Sequence, residues 1–109
     1  MKKILAIVLM AILALASFAV AEEINPADYP VAVCMSNLTH PVHRIVQLGF
    51  LKAAQDLGYT NAKAIGTEGS DAAEVFAALE AFADEGGKGA LLFWGDDGCY
   101  EAVEYAAEN

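Results

Sequence analysis

The stretch "VAVCMSNLTHPVHRIVQLGFLKAAQDLG", Val31 to Gly58, decides the fold class of this sequence. It opens with a short apolar run rich in valine, which is typical of a strand buried on both faces in a parallel sheet. Apolar residues then recur three and four positions apart, which predicts a helix. Gly58 supplies a left-handed helix stop. The apolar helix face consists of Val42, Ile45, Val46, Gly49, Phe50, Ala53, Ala54 and Leu57.

The next segment repeats the strand and helix pattern. "NAKAIGT", residues 61–67, alternates more strongly and predicts a second, more exposed strand. In "GSDAAEVFAALEAFADEGG", Asp71 is an N-cap with Glu74 three residues later, the spacing of a capping box. Gly86 and Gly87 end this helix. Its predicted core face consists of Ala72, Val75, Phe76, Leu79, Phe82 and Ala83.

A third unit completes the pattern. "GALLFW", Gly89 to Trp94, predicts another buried strand, and Asp96 or Asp97 caps a final helix. The order β-α-β-α-β-α, with right-handed crossovers, favours an α/β fold: a three-layer parallel sheet of order 2-1-3. In that order "ALLFW" is an outer strand, and an exposed apolar edge is a site for pairing with other chains. We therefore expect the front part of a larger doubly wound domain.

The N-terminus predicts export. Lys2 and Lys3 precede a long apolar run, and "AVA" at residues 19–21 has the small residues of a signal peptidase site. We expect a secretory signal peptide over residues 1–21, cleaved after Ala21, although the run is also nearly long enough for a retained membrane anchor. Residues 22–29 would be a loose leader, and residues 30–109 the folded part. The expected location is the periplasm or the extracellular space.

Charge and cysteine content narrow the function. Residues 22–109 keep four basic side chains against 15 acidic ones, a net charge of −11, which disfavours nucleic acid as a partner. Two cysteines in an exported chain can pair, but Cys34 lies inside a predicted buried strand, so we expect two free thiols. No G-x-S-x-G, P-loop or G-x-G-x-x-G motif occurs, so we expect no catalytic activity and no cofactor.

The segment from Val31 to Tyr59 resembles the opening of the type I periplasmic sugar-binding proteins, the ribose-binding and LacI-like group. Gly49, Ala53, Ala54, Leu57, Gly58 and Tyr59 match the family's first helix, and residues 70–97 are similar to its second helix and third strand. The resemblance implies part of the N-terminal lobe of a periplasmic-binding-protein-like domain. It also implies a small polar solute, most simply a sugar, and a membrane permease as partners, in ABC-type uptake.

The resemblance implies a ligand cleft at the first-strand loop. Ser36 and His40 match positions of polar contact with ligand hydroxyls, whereas Val42 and His43 occupy positions where many members place stacking aromatics. Independently, ligands of open α/β sheets bind beyond the carboxyl ends of the strands, where strand order reverses. With order 2-1-3 that point lies between the first and third strands. The predicted ligand-binding residues are Ser36, Asn37, Thr39, His40, His43, Trp94 and Asp97.

Several of these residues also fit structural roles. Thr39 is a candidate N-cap with Pro41 in the first turn, Trp94 a candidate core residue, and His43 is expected at the exposed start of the helix. "HPVH" with Asp97 or Cys99 would supply zinc ligands, but no CxxC or HExxH motif accompanies it, so we predict no metal site. The alternative function is a small extracytoplasmic interaction module that pairs another chain with its "ALLFW" edge.

Overall fold

A computed structural model describes residues 23–109. The predicted signal peptide and its cleavage after Ala21 lie outside the described residues and stay predictions. In the described part of the chain, no helix has the length and apolar character required to cross a bilayer.

The predicted order of elements is confirmed. After a 3-10 turn at Pro26–Asp28, the chain forms β1 (Val31–Met35), α1 (Pro41–Asp56), β2 (Ala62–Gly66), α2 (Ala72–Asp84), β3 (Gly89–Phe93) and α3 (Gly98–Glu108). The three strands form a parallel sheet of order β2-β1-β3, as expected for this α/β fold. α1 ends before Gly58, whose φ of 88° lies in the left-handed region.

The central strand β1 is buried on both faces. Cys34 is in register with Ile65 of β2 and Leu92 of β3, and these side chains join a core with Val75 and Leu79 of α2. Ala102 of α3 belongs to the same cluster. The alternate residues of β1 point to the opposite face, which α1 covers. This is why the valine-rich run of β1 has no polar side.

Helix α1 is turned relative to the face that the sequence predicts. Of the eight apolar positions only Ala54 is buried, while Val42, Ile45 and Leu57 are more than half exposed. The half-buried side of the helix includes His43 and Gln47, two polar residues that the apolar pattern leaves out. The reason is the width of the sheet: α1 lies over β1 and β2, so one flank of its apolar stripe has no strand beneath it.

One of the two hydrogen bonds of the expected capping box forms at the start of α2, and the other does not. The Asp71 carboxylate accepts a hydrogen bond from the Glu74 amide at 3.1 Å, as an N-cap does. The Glu74 carboxylate does not return to the Asp71 amide, because it accepts a 2.6 Å hydrogen bond from the buried hydroxyl of Thr67. The reciprocal bond of a capping box is therefore replaced by one that ties α2 to the end of β2.

The leader contains local structure. Asn25 caps the 3-10 turn by accepting a hydrogen bond from the Ala27 amide at 3.2 Å. The Asn61 side chain donates a 3.0 Å hydrogen bond to the Ala27 carbonyl, which links the turn to the start of β2. Residues 25–29 are thus attached to the amino end of the sheet.

Candidate functional site

The candidate site lies at the carboxyl ends of β1 and β3, where the order of strands reverses. The Ser36 amide donates a 3.4 Å hydrogen bond to the Phe93 carbonyl, which ties the loop after β1 to the end of β3. The Leu38 amide donates a 2.8 Å hydrogen bond to the Thr67 carbonyl on the β2 side. The loop that carries most of the predicted site residues is therefore held from both neighbouring strands.

Asn37 organises this loop. Its side-chain oxygen accepts hydrogen bonds from the Thr39 amide at 3.1 Å, the Thr39 hydroxyl at 3.0 Å and the His40 amide at 2.9 Å. Its side-chain nitrogen donates to the Ser70 hydroxyl at 3.4 Å. An asparagine that bonds the backbone two and three residues ahead closes an Asx turn. Asn37 and Thr39 are thus engaged in shaping the loop.

His40, not Thr39, is the N-cap of α1. The His40 Nδ1 accepts a hydrogen bond from the Val42 amide at 3.2 Å, and Pro41 follows in the first turn as expected. The prediction that Thr39 caps this helix is wrong. The Thr39 hydroxyl donates its hydrogen bond to Asn37, and the N-cap is the next residue, His40. The His40 residue is exposed, and its capping bond uses Nδ1 and not Nε2.

His43 is half-buried, so its expected place at an exposed helix start is wrong. Its ring meets the Phe93 ring edge-on, with centroids 5.0 Å apart and planes at 90°, and lies 5.1 Å from the His40 ring. The His43 Nδ1 is buried and has no hydrogen-bond partner in the described residues. Phe93 was missed by the sequence analysis, although its alternation with Leu91 places both on the face of α1.

Trp94 and Asp97 both belong to the loop that follows β3. Trp94 packs against the core cluster on the α2 and α3 side of the sheet, and its buried Nε1 has no partner in the described residues. Of the two candidate caps for α3, it is Asp96 whose carboxylate accepts a 2.9 Å hydrogen bond from the Gly98 amide. Asp97 is exposed and makes no capping bond with its side chain.

The structure therefore places the predicted residues on both sides of the sheet. His40 and His43 stand together with Phe93 on the α1 side, while Trp94 lies on the other side and Asp97 immediately precedes α3. Two grooves of about 320 and 340 Å³ lie at the opposite, amino end of the sheet, and none of the predicted site residues lines them.

No metal cluster is found in residues 23–109: nowhere do three or more His, Cys, Asp or Glu side chains lie close enough to share an ion. Cys34 and Cys99 are not joined. Burial, and to a smaller extent the neighbouring Cys99, raise the pKa of the Cys34 thiol to about 11. Cys34 is accordingly a protonated core residue at neutral pH, with its sulfur 3.8 Å from the Val75 carbonyl oxygen.

Comparison of the chain with family models, curated proteins and solved structures gives no match. The α/β fold is therefore assigned from the order of elements and the parallel sheet β2-β1-β3.

Proposed function

We propose that this protein binds a small polar solute, most simply a sugar, in the crevice between the loops that follow β1 and β3. The observation that carries the proposal is the sheet order β2-β1-β3, which puts the reversal of strand order between these two loops. The protein would be exported, would not be an enzyme, and would deliver the solute to a membrane permease. The described domain would be one part of a two-lobed binder.

The chemistry of the loops supports a hydroxylated ligand. His40 offers a ring nitrogen beyond its capping bond, and Asp97 offers a carboxylate without a capping role. The edge of the His43 and Phe93 pair offers an apolar surface beside the His40 ring. Binding sites for small molecules typically combine such an apolar wall with a few placed hydrogen-bonding groups.

Calorimetric titration of the full-length, two-lobed protein with a panel of pentoses, hexoses and polyols tests the proposal. Asp97→Ala and His43→Ala are expected to weaken binding by about 1–2 kcal/mol, the scale of one lost hydrogen bond or contact to a buried partner. Gln55→Ala, an exposed change near the far end of α1, is the matched control and should bind like the unaltered chain. A chelator should leave both the affinity and the Tm unchanged.

Two results would contradict the proposal. If no sugar or polyol of the panel gives a heat of binding, the proposal that the solute is a sugar is wrong. Binding that neither Asp97→Ala nor His43→Ala weakens places the ligand elsewhere.

A second candidate function, pairing of the β3 edge with another chain, is favoured by one observation. Leu91 is 47% exposed and Phe93 is 36% exposed on the outer strand of the sheet. Large apolar side chains on an unpaired edge are a template for strand addition.

A further inference from the structure

We infer that the partner of the β3 edge is a second copy of this chain, paired antiparallel so that two sheets join into one of six strands. This inference rests on the second candidate function, edge pairing, and is independent of solute binding. The two-fold axis passes between Leu91 of one copy and Leu91 of the other, so these two residues lie opposite each other.

The two edges of the sheet differ in how they are protected. β2 carries Lys63, which forms an ion pair with Glu85 of the chain that follows α2, and a charge on an edge strand discourages pairing. The sequence of β3 is Gly-Ala-Leu-Leu-Phe, with no charge and no proline. Only β3 is therefore chemically open to another strand.

The backbone of β3 fixes the register of such pairing. The Phe93 carbonyl accepts from Ser36, so Phe93 turns its peptide groups toward β1. Because strand residues alternate, Leu91 also points toward β1, while the N–H and C=O groups of Ala90 and Leu92 point outward. An antiparallel pair centred on Leu91 sets Ala90 opposite Leu92 of the second copy, and these two exchange both hydrogen bonds.

Side-chain sizes agree with this register. It places Gly89 opposite Phe93 of the second copy and Ala90 opposite Leu92, so that each large side chain meets a small one. Gly89, Leu91 and Phe93 point to the side of the sheet on which α1 lies, and the partner's Phe93 would lie beside a residue without a side chain. The exposed fractions of Leu91 and Phe93 would fall together on pairing.

Charges at the strand ends select the antiparallel direction. Lys88 immediately precedes β3, whereas Asp96 and Asp97 follow it. Antiparallel pairing brings Lys88 of one copy to the end of the strand where the acidic pair of the second copy begins. Parallel pairing would instead place like charges together at both ends, which is unfavourable.

The test is the oligomeric state of the full chain, expressed in an exporting bacterial host and measured by sedimentation over micromolar concentrations. We expect a dimer. Leu91→Lys, which would set two ammonium groups against each other on the axis, should weaken it at least tenfold. Ala90→Pro removes one outward N–H without removing a bond to β1, so it should weaken the dimer to a similar extent while the variant still folds.

Val103→Lys is the matched control, because Val103 is 53% exposed on α3 and outside the edge. It should leave the dimer intact. A monomeric parent, or a dimer that persists in both β3 variants, overturns the inference.

Amide hydrogen exchange distinguishes two explanations of a monomeric parent: a β3 edge that pairs with a different chain, and a β3 edge that pairs with no chain. In a monomer, fast exchange at Ala90 and Leu92 shows an edge still free for a different chain. Slow exchange there shows that the edge is already covered, and edge pairing as a function is then wrong.

Discussion

The rings of His43 and Phe93 meet edge-on, with centroids 5.0 Å apart, and this pair joins the first turn of α1 to the carboxyl end of β3. The two residues are 50 positions apart in the sequence. Their contact lies where α1 reaches the outer strand, so it helps to set how far α1 extends across the sheet. The pair also forms one wall of the proposed crevice.

We expect His43→Ala to lower the free energy of unfolding by about 1–2 kcal/mol, because an aromatic pair contributes about 0.5–1.5 kcal/mol beyond its buried area. His43→Phe keeps the ring contact and removes the buried Nδ1, which has no hydrogen-bond partner among residues 23–109, so its free energy of unfolding should lie much closer to that of the parent. Urea unfolding measures both. Equal losses in the two variants would show that the ring contact does not stabilise the fold.

The loop before α1 should rank three alanine variants in a definite order. Asn37→Ala removes an oxygen that accepts three hydrogen bonds and should cost the most, followed by His40→Ala, which removes the N-cap at about 1 kcal/mol. Thr39→Ala should cost the least, since its hydroxyl caps nothing. Thermal unfolding of the three variants measures the order. A loss in Thr39→Ala larger than in His40→Ala would restore Thr39 as the cap.

The same loop shows where sequence patterns predict structure and where they do not. The helix start was predictable to one residue, because Pro41 and the apolar spacing that follows are local signals. The choice of His40 over Thr39 was not, since it depends on Asn37 taking the Thr39 hydroxyl in three dimensions. Such competition between side chains for a hydrogen bond cannot be predicted from residue spacing.

The orientation of α1 and α2 was only partly predictable for a related reason. Periodicity gives an apolar stripe on each helix, and for α2 the stripe at Val75, Leu79 and Phe82 is the buried one. For α1 the buried side also depends on how many strands lie beneath the helix, which is a property of the whole sheet. Ile45, 70% exposed within the predicted face, shows the difference.

Two glycines allow opposite tests of local packing: Gly66 where β2 contacts β1, and Gly49 in the middle of α1. Gly66 has a φ of 134°, and a Cβ added there would lie 1.9 Å from the Met35 carbonyl oxygen. Gly66→Ala must therefore separate the strands, and we expect the variant not to fold. Gly49 lies in the middle of α1, where an added Cβ would have no other atom of the described residues within 4 Å. Gly49→Ala should therefore raise the free energy of unfolding by about 0.5–1 kcal/mol. Circular dichroism with thermal unfolding measures both, and a folded Gly66→Ala protein would contradict the register that sets Gly66 beside Met35.

The buried thiol of Cys34 makes stability depend on alkaline pH. Its pKa is raised from an ordinary value of 9.0 to about 11, chiefly by burial, so the unfolded chain loses this proton at lower pH than the folded one. Below about pH 9 the two states hold the proton equally. Between about pH 9 and 11 stability falls, with a limiting slope of about 1.4 kcal/mol per pH unit for one group.

Urea unfolding of the parent and of Cys34→Ala from pH 7 to 11 tests this linkage, because the two proteins differ only in this thiol. At pH 7 the variant should be less stable, since it leaves space in the core beside Val75. The difference in free energy of unfolding between the two proteins should narrow above pH 9. The parent loses stability there through the Cys34 thiol, and the variant has no such thiol. Cys99→Ala should keep the alkaline decline, because burial is the larger cause of the shift. Parallel curves for the parent and Cys34→Ala would mean that the Cys34 thiol is accessible to water and that β1 is less tightly covered than the structure shows.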